Sequence, residues 1–243
     1  VDTRIDLRRG ADRFVTRTDW ATTRHSFSFG EHYDPDNVGF GALLVVNEDV
    51  VASGTGYDPH PHLDSEIVTW VLSGSLVHTD SRGNTGVVHR GLAQRLSAGS
   101  GIVHSERNDA YRIDTEQPET PVHFWQMWVR PDESGAEPSY QQRELDPADL
   151  DTDWVPVASG SHPDAVITIG SVGSTLWAVR AAAGITRILP EGPLLHVSVV
   201  DGVADLESVG RLTAGDAVRL RGHGGLRLTG VEDAELLVWE LAA

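Results

Sequence analysis

Two short doublets carry the chemistry open to this sequence: His60-Pro61-His62 and His104-Ser105-Glu106, about forty residues apart. Residues i and i+2 of a β-strand point to the same face, so each doublet presents two side chains together. Three imidazoles and one carboxylate converge only where the fold lays the two strands side by side. Such a set binds a divalent transition metal and leaves positions open for water, dioxygen or substrate. Neutral imidazole suits iron, copper, nickel and zinc, while a carboxylate offsets part of the dication's charge. The chain has no Cys, so a closed structural zinc site is not expected. The expected ligands are therefore His60, His62, His104 and Glu106. Iron(II) is the first expectation for the metal, with copper, nickel, manganese, cobalt and zinc as alternatives.

Composition narrows the remaining chemistry. Disulfides, thiol nucleophiles and iron–sulfur ligation need Cys. Lys is also absent, all 19 basic residues being Arg, which removes Schiff-base catalysis and a Walker-type phosphate lysine. Acidic residues outnumber basic ones by 36 to 19, for a formal charge of −17. Such a surface repels phosphate backbones and anionic lipid, so neither direct nucleic-acid nor membrane binding is expected. No apolar run reaches the roughly 18–20 residues of a membrane span. Asp2 through Arg13 alternates charged with apolar residues and lacks a signal-peptide core, so a cytoplasmic location is expected.

The elements that must position the doublets are strands. Short runs rich in Val, Ile, Leu, Trp and Thr recur at Phe27–Phe29, Ala42–Val46, Ile67–Leu72, Leu76–Thr79, Val122–Val129, Val166–Ile169, Leu176–Val179, His196–Val200 and Leu236–Trp239. Ser81-Arg82-Gly83-Asn84 reads as a tight turn. Helical periodicity is weak, the best candidate being Pro147–Leu150 with Pro147 in a first turn. An all-β fold of the sandwich, barrel or jelly-roll kind is expected.

The chain also echoes itself. Val71-Leu72-Ser73-Gly74-Ser75-Leu76 resembles Val199-Val200-Asp201-Gly202-Val203-Ala204, and Arg130 to Pro147 reads as a connection between halves. Two tandem β-barrels are expected, an N-terminal domain over residues 1–134 that holds the metal and a C-terminal domain over 135–243. Aligning Gly74 with Gly202 puts Ile188 where His60 stands and Pro190 where His62 stands. His196 and His223 remain in the second half, but neither forms a doublet. The C-terminal domain is expected to be a degenerate copy without metal.

Other polar groups receive plainer expectations. Glu66 is read as a structural neighbour rather than a ligand. His78 and Asp80 flank a hairpin turn and are expected to make turn hydrogen bonds, and His89, His162 and His223 are expected to be solvated. Strand parity points Arg107 away from Glu106. Alternation also sends Phe124, Gln126 and Trp128 to one face and Trp125, Met127 and Val129 to the other. Either set could line a pocket for a flat aromatic ligand, and the sequence leaves that choice open.

These residues carry a resemblance. Gly54-x5-His60-Pro61-His62-x3-Glu66 looks like a first cupin motif, and Gly99-x4-His104-Ser105-Glu106-x-Asn108 resembles the second motif in the form used by the pirin family. His25-Ser-Phe-Ser-Phe-Gly30, Tyr33-Asp-Pro35, Gly39-Phe-Gly-Ala42 and Asn47-Glu-Asp49 are similar to that family's N-terminal signature. The resemblance implies a bicupin of two tandem jelly-roll barrels with one metal, usually iron, in the first. Carried over residue by residue, its ligands fall on His60, His62, His104 and Glu106.

Bacterial pirin-like proteins are associated with quercetin 2,3-dioxygenase activity, in which dioxygen opens a flavonol ring and carbon monoxide leaves. The expected function is accordingly a metal-dependent dioxygenase taking a small aromatic enol and dioxygen. Glu106 is expected to act as general base as well as ligand. Other family members regulate transcription or metabolism through protein partners. The alternative expectation is thus a non-enzymatic, metal- or redox-sensing regulator with a protein partner.

Overall fold

The computed structural model describes residues 4–111 and 115–243. The first half runs through β1 (Arg4–Arg8), β2 (Phe14–Arg17), β3 (Ala21–His25), β4 (Leu43–Val51), β5 (Thr55–His62), β6 (Glu66–Ser73), β7 (Ser75–Asp80), β8 (Thr85–His89), β9 (Leu92–Ser97), β10 (Ile102–Asn108), β11 (Val122–Val129) and β12 (Ser139–Glu144). Helix α1 (Pro147–Thr152) follows, capped by the Asp146 carboxylate, which accepts from the Ala148 N–H. The second half holds β13 (Val155–Ser159), β14 (Ile167–Thr168), β15 (Ser174–Ala181), β16 (Thr186–Ile188), β17 (Leu194–Asp201), β18 (Val203–Leu206), β19 (Gly210–Thr213), β20 (Ala217–Arg221), β21 (Arg227–Gly230) and β22 (Ala234–Leu241).

Each half faces a seven-stranded sheet with a four-stranded one. In the first half the orders are β12-β9-β6-β11-β4-β3-β2 and β5-β10-β7-β8. In the second they are β1-β20-β17-β22-β15-β13-β14 and β16-β21-β18-β19. This is the all-β tandem arrangement expected of two jelly-roll barrels. Against the expected boundary between residues 134 and 135 the edge strands are exchanged: β1, before it, pairs with β20, and β12, after it, pairs back with β9.

The two large sheets pack against each other through Phe27, Phe40, Trp70, Trp125 and Met127 on one side and Val157, Leu237 and Trp239 on the other. Central strands such as β6, β17 and β22 are thus covered on both faces, which is why they read as nearly unbroken apolar runs. The self-similar hairpins are real. Gly74 and Gly202 turn at φ 75° and 74°, and a side chain at either would strike the neighbouring backbone of Val122 or Asp233.

Three sequence expectations shift. Phe27–Phe29 is not a strand, because Phe27 plugs the inter-sheet core while Phe29 bridges to His32 across a turn at Gly30 (φ 57°). The stretch from Arg130 to Pro147 contains β12 as well as connection, and the strand at Val166–Ile169 shrinks to β14. No helix among the described residues is long and apolar enough to cross a membrane.

Candidate metal centre and its pocket

The two doublets meet because β5 and β10 are antiparallel neighbours, with His104 opposite His60 and Ile102 opposite His62. Strand β5 lies at its sheet's edge, where Pro59 and Pro61 cost no ladder donor. The register slips between His104 and Glu106, so that Glu106 pairs with Tyr57 and Asp58 and Pro59 together oppose Ser105, one extra residue bulging out of β5. Gly56 permits this approach, since a Cβ there would run into the Glu106 carbonyl and the Arg107 backbone.

The three imidazoles converge. Ring centroids lie 4.9 Å apart for His60 and His62, 4.5 Å for His60 and His104, and 4.8 Å for His62 and His104. Their ligand atoms all fall within 4.8 Å of one another. Nε2 of His62 and Nε2 of His104 are buried with no hydrogen-bond partner among the described residues. Buried lone pairs of that kind are what a cation satisfies, and the N/O donor set fits a divalent transition metal. Burial first, and repulsion among the imidazoles second, push His62 down to about 4. Burial likewise takes His104 to about 4. Both rings stay neutral at physiological pH and keep their lone pairs.

A chain of hydrogen bonds sets which nitrogen of His104 is available. The Asp80 carboxylate stays ionised, because the Asn84 and Arg82 N–H groups and the His78 ring more than offset the effect of burial. An ionised carboxylate only accepts, so His78 Nε2, 3.3 Å from Asp80 Oδ2, donates to it. His78 Nδ1 then accepts the hydrogen bond that His104 Nδ1–H donates at 3.4 Å, which leaves His104 Nε2 bare. His60 is set the same way, its Nδ1 donating to the Asp58 carbonyl at 2.8 Å.

Glu106 is buried and adjoins the cluster through His104, with Nε2 to Oε2 at 3.9 Å. It also forms a second group with His78 and His104. Burial alone would raise its proton affinity, but the surrounding imidazoles and the Gln126 amide hold it below the usual carboxylate range. Gln126 Nε2 donates to Glu106 Oε2 at 2.7 Å. The amide orientation is fixed because Trp128 Nε1, which can only donate, is 3.0 Å from Gln126 Oε1.

Beside the cluster lies a cavity of about 380 Å³ lined by His60, His62, Glu106, Gln126 and the rings of Trp20, Phe29, Tyr57 and Trp128. Trp128 stands edge-on to His62 at 4.7 Å. On the same wall, Asp49 Oδ1 accepts from Thr23 Oγ1 at 2.5 Å and from Tyr57 Oη at 2.6 Å. Burial raises Asp49 to about 6, and the neighbouring Glu106 adds to the rise, while the two hydroxyls oppose it.

The structure therefore resolves the choice of faces on β11. Gln126 and Trp128 line the pocket while Phe124 packs into the first barrel; Trp125, Met127 and Val129 form inter-sheet core. Glu66 is structural, as expected, accepting from Ser97 Oγ at 2.7 Å. Its place does not follow from strand parity, because the chain turns at Asp64 (φ 44°) and Glu66 opens β6 in the other sheet. Arg107 points away, pairing with Asp58 at 2.6 Å. In the second half the interior is filled by side chains such as Val179, Val197 and Leu228, and Ile188 is exposed.

Sequence reasoning missed His78, which is buried, stacks on Tyr140 at 4.5 Å and faces His104 instead of the turn. The signal was available, since His78-Thr79-Asp80 is a third doublet of the same spacing. The sequence places Gln126 on a possible pocket wall and Asp49 in a family-like run, but it singles out neither them nor Thr23 and Tyr57 as polar partners of the site.

Comparison with known proteins agrees with this geometry. A Mycobacterium tuberculosis protein that bears the quercetin 2,3-dioxygenase name provisionally is 50% identical over 240 residues, covering 98% of this chain and 96% of its own. An Escherichia coli K12 protein named quercetin 2,3-dioxygenase is 44% identical over 142 residues, 58% of each chain. The crystal structure of the E. coli bacterial pirin YhhW in complex with nickel(II) superposes with a TM-score of 0.86 at 30% identity, covering 98% of this chain and 99% of that one. The family model described as Pirin matches residues 8–129, the segment that contains both doublets. On its sequence and on its fold, the chain belongs to the pirin family.

Proposed function

We propose that the chain is a metal-dependent dioxygenase of the quercetin 2,3-dioxygenase type, acting on a flavonol or related aromatic enol. The observation that carries this reading is the aromatic-walled cavity of about 380 Å³ that opens onto His60, His62 and Glu106. Its size lies within the range of small-molecule sites, roughly 300–1,000 Å³. In the proposal His60, His62, His104 and Glu106 hold one divalent metal, iron(II) before the alternatives. Bound there, the metal would supply a Lewis acid for the enol oxygen and redox access to dioxygen.

The chain's own residues do the rest. Trp20, Phe29, Tyr57 and Trp128 flank a flat ring and keep water off it. Glu106 accepts the enol proton at the oxygen that Gln126 does not hold. The low proton affinity of Glu106 keeps it anionic until substrate arrives.

The test is anaerobic loading with iron(II), addition of quercetin and air, and measurement of carbon monoxide. Release that vanishes in His62→Ala is expected. Metal-loaded protein that releases none would overturn the reading in favour of a regulator that works through a protein partner.

A further inference from the structure

A second cavity, of about 430 Å³, lies between the halves and is lined by Asp6, Arg8, Arg13, His25, His196 and Arg219 among others. Its floor is one row across the large C-terminal sheet, where Asp6 faces Arg219 and Arg219 faces His196. The other arginines around it are matched within the chain. Arg8 pairs with Asp6 at 2.9 Å, Arg9 with Asp216 at 2.8 Å and Arg13 with Glu48 at 2.7 Å.

Arg219 is the exception. It is 5% exposed and has no carboxylate within ion-pair distance among the described residues. Its Nη2 donates to the Ser26 carbonyl at 3.0 Å and to Asn37 Oδ1 at 2.7 Å, while its Nε has no partner. The guanidinium lies 4.3 Å above the Phe27 ring. Beside it, His196 is 1% exposed and its Nε2 is also unpartnered. Asp6 across the ladder offsets the Arg219 charge only in part, being paired with Arg8, and a bound anion would offset more of the cost of burying that cation.

We infer that this cavity binds a small organic monocarboxylate, whose carboxylate pairs with Arg219 and whose apolar body packs on Phe14 and Ala217. Asp12 and Asp34 also line the cavity and have no ion pair among the described residues, so the lining disfavours a polyanion such as phosphate. The site does not involve the metal cluster, although His25 lines both cavities.

Isothermal titration calorimetry with hexanoate, its neutral analogue 1-hexanol and inorganic phosphate tests this. Hexanoate is expected to bind about tenfold or more tighter than 1-hexanol, the worth of one charge-assisted contact. Phosphate is expected to compete poorly. Arg219→Gln should erase the preference. Should that variant fail to fold, Ala217→Leu, which fills the cavity from the Arg219 face of β20, should abolish hexanoate binding with Arg219 intact. Equal affinity for the acid and the alcohol would overturn the inference. So would hexanoate binding that survives Ala217→Leu, or binding lost in His62→Ala, which would move the carboxylate to the metal pocket.

Discussion

At the scale of single residues, the site is a set of imidazoles whose free nitrogens are chosen by their neighbours. The doublets were legible because strand geometry makes i and i+2 co-facial whatever the rest of the fold does. His78 was misjudged because Asp80, two residues on, does serve the turn: its Oδ1 accepts from the Arg82 and Asn84 N–H groups at 2.9 and 3.0 Å. Both side chains nevertheless share the inward face, and Asp80 does two jobs. Gln126 was not legible as a partner because an amide carries no metal preference and its role depends on a strand from the opposite sheet. If the Asp80–His78–His104 chain sets the tautomer, His78→Phe should keep the stacking on Tyr140 and still weaken metal binding by about 10–100-fold. Competition against a chromophoric chelator measures this, and wild-type affinity in the variant would remove His78 from the account.

At the scale of elements, most strands were readable and the edges were not. β6, β11, β17 and β22 announce themselves by apolar runs, and α1 by Asp146 and Pro147. The exchanged strands β1 (Arg-Ile-Asp-Leu-Arg) and β12 (Ser-Tyr-Gln-Gln-Arg-Glu) are polar edge strands with little buried surface. Their pattern matches a linker, because the partner that makes each a strand lies across the expected boundary between residues 134 and 135. The bulge in β5 is equally invisible in sequence, yet it brings Glu106 to the cluster. Gly56→Ala should push β5 off β10 at a cost of about 1–3 kcal/mol. Thermal unfolding should show a lower Tm, and metal analysis less than full loading. Unchanged stability and loading would mean that the close approach of the two strands does not govern the site.

At the scale of the whole molecule, the exchanged edges and the shared inter-sheet core bind the two halves into one body around His196 and Arg219. Burial first, and the nearby Arg219 second, lower His196 from its ordinary 6.5 to about 3. Between those values the unfolded chain takes up a proton that the folded protein refuses, so stability falls as pH drops through this window. His196→Phe removes the group. Between pH 7 and 4 the variant should lose less unfolding free energy than the wild type, by on the order of 3 kcal/mol. Urea denaturation at both pH values measures the difference, and parallel losses would show that His196 does not titrate in this way.

The proposed metal site needs the pairing of two strands within the first half, since neither β5 nor β10 supplies more than two of its ligands. X-ray absorption at the iron edge of protein loaded with iron(II) tests that claim most directly. One iron per chain with three imidazoles in its coordination sphere is expected, lost in His62→Ala and in His104→Ala. Full loading that persists in either variant, or a coordination sphere without three imidazoles, would contradict it.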